Sequence, residues 1–98
     1  MINIDQEKEL FAKAYKLYGR NYHLNLLMEE CGELVAAINR HKRKRIFRLQ
    51  MVSEIVDVLI MIEQVLHNED MEICDLKFLR NDKMVKLINK LNKDGKGN

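Results

Sequence analysis

Proline is absent from this chain of 98 residues, and glycine occurs only at positions 19, 32, 95 and 97. These are the two residues that interrupt helices most strongly, so their scarcity leaves few natural breaks. Leucine, isoleucine, glutamate, lysine and methionine are instead abundant, and most of these favour helix. We therefore predict an all-α protein.

Cysteine is also scarce, because only Cys31 and Cys74 occur, without a CxxC pair or a cysteine–histidine cluster. This excludes the ligand spacings that are typical of structural zinc sites. Both residues lie in helical apolar patterns, so we expect reduced, buried thiols in a cytoplasmic protein. The first residues lack the basic segment followed by a long apolar stretch that defines a secretory signal.

Long apolar runs and an excess of one charge are missing too. The apolar run at residues 58–62, which no other run in the chain exceeds, is far shorter than the roughly 20 residues needed to span a bilayer. The 17 basic and 15 acidic side chains leave a net charge of +2, which does not favour nucleic acid as a partner. We expect neither a membrane nor a nucleic-acid partner.

The chain shows no internal repeat or second domain, so residues 1–98 are predicted to form one helical domain with a flexible tail at 93–98. A domain of this size has a core that is only modestly stabilising, which makes an oligomer an expectation. Gly32 lies inside a helical pattern at a cost of about 1 kcal/mol relative to alanine. A close approach by another helix would account for it.

Four helical segments are predicted from the apolar spacing. The first covers 5–18 and ends at Gly19, and the second begins at Asn21 as N-cap. The third, at 49–67, is apolar over most of its circumference, as in a helix covered on several sides. The fourth starts after residue 70 and ends near Leu91. A basic connector between the second and third contains Arg40, Lys42, Arg43, Lys44, Arg45 and Arg48.

Two pairs of acidic residues stand three positions apart: Glu30 with Glu33, and Glu54 with Asp57. Residues at this spacing share a helix face, with β-carbons roughly 5–6 Å apart. Helical geometry places Glu30, Glu54 and Asp57 in packed, apolar surroundings and Glu33 at the edge of the apolar arc. On antiparallel neighbours the two pairs would face each other and bind a hard cation.

The alternative is that such pairs are solvated surface, as most are in charged helices. A di-iron carboxylate site would require Glu-x-x-His on two helices, and this chain has none. Ligation by oxygen alone favours Mg²⁺, with Mn²⁺ as a substitute.

At these residues the chain resembles the MazG-like, all-α nucleoside triphosphate pyrophosphohydrolases. Their motif, EExxE followed by ExxD, is found at residues 29–33 and 54–57. The likeness continues through Gly19, residues 54–64 and the basic register of Lys83, Lys86 and Lys90, so it covers most of the chain. It implies a four-helix-bundle-like fold and suggests a dimer of dimers. The third helix has more apolar circumference than one bundle can cover, which predicts a homodimer at least.

The resemblance further implies Mg²⁺-dependent hydrolysis of a nucleoside triphosphate, canonical or modified, to the monophosphate and pyrophosphate. Carried over by position, Glu30, Glu33, Glu54 and Asp57 would be metal ligands and catalytic residues. It leaves open which carboxylate accepts the proton of the water, and which base and sugar are preferred. The competing hypothesis is a non-catalytic interaction or regulatory module whose basic connector docks a partner.

Five further residues are candidates for substrate binding. His23 lies two helical turns before Glu30 and would contact a base or sugar, although the resemblance leads us to expect glutamine there and a structural role is equally compatible. Met61 and Gln64 continue the strip of Asp57, with plain core as the alternative for the methionine. Lys83 and Lys86 match the family's basic positions and would contact phosphates, unless they are solvated.

Overall fold

The computed structural model describes the backbone of residues 1–71 and 73–96 and the side chains of 1–71 and 75–95. Its four helices are α1 (Ile4–Tyr18), α2 (Arg20–Lys42), α3 (Arg48–Asn68) and α4 (Ile73–Lys96). The described residues contain no strand, and the all-α prediction is confirmed. Helix α4 continues past the predicted end at Leu91, so the tail is helical as far as Lys96. Residues 97 and 98 lie outside the described residues.

Glycine 19 separates the first two helices. Its φ of 85° lies in the region that only glycine adopts readily, and its N–H donates to the Tyr15 carbonyl at 2.8 Å. The same residue is the N-cap of α2, so the prediction of Asn21 as N-cap is wrong. The chain changes direction at one residue and leaves no loop for Asn21 to cap.

The basic connector folds back onto the last turn of α2. The Arg45 N–H donates to the Arg40 carbonyl at 2.9 Å, and His41 Nδ1 lies 3.3 Å from the Ile46 carbonyl. Helix α3 then begins after Phe47, whose N–H donates to Oε1 of Gln50 at 2.9 Å. These bonds hold the connector close to the facing surfaces of α2 and α3.

Helices α2 and α3 form the main packing contact, and α1 lies against both. The ion pair between Arg20 and Glu69, at 2.5 Å, joins the start of α2 to the end of α3, so the two helices are antiparallel. The buried residues within the described part of the chain are Ala37, Val58, Met61 and His23. The core therefore lies along the contact between α2 and α3.

Helix α4 makes no close backbone contact with the other helices within the described residues. An α4 apolar stripe at i, i+3, i+4 and i+7 is between 40% and 60% exposed and consists of Met84, Leu87, Ile88 and Leu91. The four predicted helices are thus present, but within the described part of one chain only the first three pack together. None of the helices in the described residues combines the length and apolarity needed to cross a bilayer.

One prediction about α2 is wrong, and the close helix approach suggested for Gly32 is absent among the described residues of one chain. Cys31 is exposed, because it lies about 100° around the helix from Glu30, which faces α3; the side chain of Cys74 lies outside the described residues. A Cβ on Gly32 would meet nothing within 4 Å, so within one chain no close helix approach requires glycine there.

Candidate metal centre

Three of the four predicted carboxylates come together between α2 and α3. One carboxylate oxygen each from Glu30, Glu33 and Glu54 lies within 4.8 Å of the others. Glu30 and Glu33 are one turn apart on α2, and antiparallel packing places Glu54 of α3 opposite them. We refer to these three residues as the carboxylate cluster.

The cluster is buried on one side and open on the other. Glu30 and Glu54 are partly buried, whereas Glu33 is exposed. The Oε2 atoms of Glu30 and Glu54 are buried without a hydrogen-bond partner in the described part of the chain. Buried polar atoms usually have partners because leaving them unpaired is costly. These two oxygens therefore favour a ligand that enters from the Glu33 side.

Glu30 lies close to several other negative charges. Burial raises the pKa of its carboxyl group, and the negative charges of Glu33, Asp57, Glu54 and Glu29 raise it further, in that order. Both effects disfavour the charged form. A bound cation would offset them.

Asp57 does not belong to the three clustered carboxylates, and its side chain is exposed, so the expectation of packed surroundings is wrong. Its charge still contributes to the raised pKa of Glu30. Asp57 therefore lies at the rim of the cluster. On α3, Asp57 is rotated away from the buried contact with α2 in which Glu54 lies.

The cluster fits a hard divalent cation. Carboxylate oxygens are the ligands that Mg²⁺ and Mn²⁺ use, and Mg²⁺ is commonly shared between a few carboxylates and substrate phosphates. Glu30, Glu33 and Glu54 would hold the ion. The exposed side of the cluster leaves access for phosphate oxygens.

His23 is 3% exposed, and its Nδ1 lies 2.9 Å from the Gly19 carbonyl. Its ring stacks on Tyr15 at a centroid distance of 6.2 Å and meets Tyr22 edge-on at 5.7 Å. The recess beside it has no room for a water molecule. This arrangement supports the structural alternative for His23; contact with a base stays a prediction that requires the ring to be uncovered.

The other candidate residues are distributed differently. Met61 is 6% exposed, as the core alternative predicted, and Gln64 is partly buried one turn further along α3. Lys83 and Lys86 are exposed on α4, which does not contact α2 or α3 within the described residues. Within one chain these lysines are therefore not brought to the carboxylate cluster.

A cleft beside the cluster was not predicted from the sequence. It has a volume of about 270 Å³ and is lined by Ala37, Arg40, Ile46, Gln50, Ser53 and Glu54. Arg40 lies seven positions after Glu33 and is on the same helix face. That spacing was the available signal, but Arg40 was predicted to belong to the basic connector.

The family model for the MazG nucleotide pyrophosphohydrolase domain matches residues 20–93. The chain belongs to the MazG family. The match begins at the first residue of α2 and ends within α4, so it contains the whole carboxylate cluster and leaves α1 outside. A search of curated proteins and a search of solved structures each found no match. The resemblance inferred from the paired carboxylates is confirmed at the level of the family.

Proposed function

We propose that this MazG protein hydrolyses a nucleoside triphosphate, canonical or modified, to the monophosphate and pyrophosphate in a Mg²⁺-dependent reaction, with Mn²⁺ as a substitute. The observation that carries the proposal is the carboxylate cluster, whose three oxygens lie within 4.8 Å of one another inside a MazG domain. Two of its members have a buried oxygen without a partner in the described residues.

In this reaction water attacks the α-phosphorus, and the bond from that phosphorus to the oxygen bridging the α and β phosphates breaks. Glu30, Glu33 and Glu54 would hold the metal between two helices. When bound, it would supply positive charge that stabilises the attacking and leaving oxygens. Asp57 at the rim completes the proposed catalytic set, and one carboxylate of this set accepts the proton of the water.

The proposal includes assembly as a homodimer at least. The α4 apolar stripe is 40–60% exposed, and on α3 Val56 and Leu59 are 46% and 51% exposed. Burying apolar surface is worth roughly 25 cal/mol per Å², so a second copy that covers both faces would be stabilised. Packing between two copies would also bring Lys83 and Lys86 close to substrate phosphates.

A regulatory module with a basic docking loop is the second candidate. Phe47 and Leu49, next to the basic connector, are 82% and 78% exposed. An apolar pair beside arginines and lysines is typical of a surface that binds a partner. This hypothesis requires no turnover and no metal.

Pyrophosphate release from a panel of ribo-, deoxyribo- and modified nucleoside triphosphates separates the two candidates. The assay is run with Mg²⁺, with Mn²⁺ and with EDTA. We expect release from at least one nucleotide with either metal and none with EDTA. A folded protein that releases no pyrophosphate from any nucleotide with either metal would contradict the enzymatic proposal.

A further inference from the structure

The cleft beside the carboxylate cluster continues the same face of α2. Glu30, Glu33, Ala37 and Arg40 follow one another at i, i+3, i+7 and i+10, so they form one strip. In a helix every Cα–Cβ bond tilts toward the N-terminus. The Cα–Cβ bond of Arg40 therefore points toward Ala37 and the cluster, and Arg40 lines the cleft. Glu54 belongs to both the cluster and the cleft.

Hydrogen-bond donors are concentrated in this cleft. Arg40 offers five N–H groups, Ser53 one hydroxyl and Gln50 one amide NH₂. Oε1 of Gln50 already accepts the Phe47 N–H, which leaves its NH₂ free to donate. Arg40 forms no ion pair within the described residues. A permanent positive charge without an ion-pair partner in the described residues thus lines the same cleft as Glu54 of the cluster.

The walls of the cleft favour an anion over a nucleobase. Its apolar residues are Ala37 and Ile46, and it contains no aromatic ring on which a base would stack. Arginine, by contrast, matches the geometry of phosphate oxygens and binds two of them at once. The bond from the Arg45 N–H to the Arg40 carbonyl keeps the Ile46 wall in place.

We propose that this cleft binds the terminal phosphates of the substrate, the part that leaves as pyrophosphate, with Arg40 as the main contact and Gln50 and Ser53 as additional donors. The inference rests on the proposed function and deepens it, because it fixes the direction of the substrate. The phosphates lie toward the C-terminal end of α2. The nucleoside extends from the cluster in the opposite direction, toward the start of that helix.

The test compares Arg40→Gln with Arg43→Gln, which removes the same charge from a connector residue that does not line the cleft. Each variant is titrated calorimetrically in Mg²⁺ with inorganic pyrophosphate and with a nucleoside monophosphate. We expect Arg40→Gln to weaken pyrophosphate binding about tenfold or more, the scale of a lost charged hydrogen bond, and to leave monophosphate binding unchanged. Arg40→Lys should recover part of the affinity, because it restores charge without the planar fork.

Arg43→Gln should match the wild type for both ligands. Equal pyrophosphate affinities for the two glutamine variants would overturn the inference, as would a loss of monophosphate binding in Arg40→Gln alone. Thermal melting confirms that each variant is folded, and Ser53→Ala gives an independent variant with a smaller expected loss of pyrophosphate affinity. If the wild type releases no pyrophosphate from any nucleotide, the proposed function fails. If it is active while Arg40→Gln binds pyrophosphate normally, only the cleft assignment fails.

Discussion

The facing surfaces of α2 and α3 have a sequence pattern similar to that of the α4 surface. The facing surfaces are buried against each other, whereas the α4 surface is exposed. Along the first contact, Ala37 and Val58 are buried and the carboxylates meet. The α4 apolar stripe has the same helical spacing, yet its four side chains are 40–60% exposed. An amphipathic pattern predicts that the apolar face of a helix will be covered. The pattern does not predict which helix covers that face.

The largest expected effect comes from breaking the carboxylate cluster. Glu30→Gln and Glu54→Gln should each lower kcat at least about 100-fold. Loss of a metal ligand should reduce activity at least as much as loss of a residue that hydrogen-bonds to a ligand. Pyrophosphate release measures this, and circular dichroism should show unchanged helicity. The matched control is Glu9→Gln, an exposed carboxylate of α1 outside the cluster. Full activity in both cluster variants would contradict the assigned site.

The next effect is on assembly through α4. Replacing Leu87 and Ile88 together by aspartate places charge in the middle of the α4 apolar stripe, so an oligomer that buries the stripe should dissociate to the 11.6 kDa monomer. Light scattering at micromolar concentration measures the mass. Asn89→Asp adds charge on the opposite side of the helix and should leave the mass unchanged. A monomeric wild type with full activity would contradict the proposed assembly.

A third effect is on the pH dependence of stability without metal. The pKa of Glu30 is raised above its ordinary value of 4.5, so the protonated form favours folding. The contribution of protonated Glu30 to the free energy of unfolding is complete below pH 4.5. It is lost as the pH rises through the higher pKa that Glu30 has in the folded state. Thermal melts in EDTA should show that Glu30→Gln lacks this loss and melts higher than the wild type at pH 7. Added Mg²⁺ should stabilise the wild type more than the variant. If the wild type and Glu30→Gln have the same melting temperature at every pH, the raised pKa of Glu30 in the folded protein is contradicted.

The smallest effect concerns Gly32. Alanine should stabilise α2 by about 0.5–1 kcal/mol, because glycine costs that much in a helix interior and nothing within 4 Å would meet the added methyl group. For a domain of this size that is a rise in Tm of a few degrees. Chemical denaturation measures the free energy of unfolding. If Gly32→Ala lowers stability and shifts the mass toward monomer, Gly32 lies in an interface between copies.

The sequence was informative where a property depends on local spacing. Helical propensity and apolar periodicity located all four helices, and the i, i+3 spacing of Glu30 and Glu33 placed them on one face. It was misleading where a property depends on what packs nearby. Cys31 follows the apolar pattern of α2 and is nevertheless exposed. For His23 the sequence left substrate contact and a structural role open, and its burial beside Tyr15 and Tyr22 supports the structural role.

The amino-acid sequence by itself determined the all-α class, the family and the two pairs of carboxylates, because each of these rests on residue type and spacing along one helix. Only the tertiary structure decided that Glu54 joins Glu30 and Glu33 while Asp57 stays at the rim. It also decided that Arg40 lines a cleft beside them. These outcomes depend on how α3 is rotated and shifted against α2, and that geometry is set by packing around Ala37 and by the hydrogen bonds of the connector.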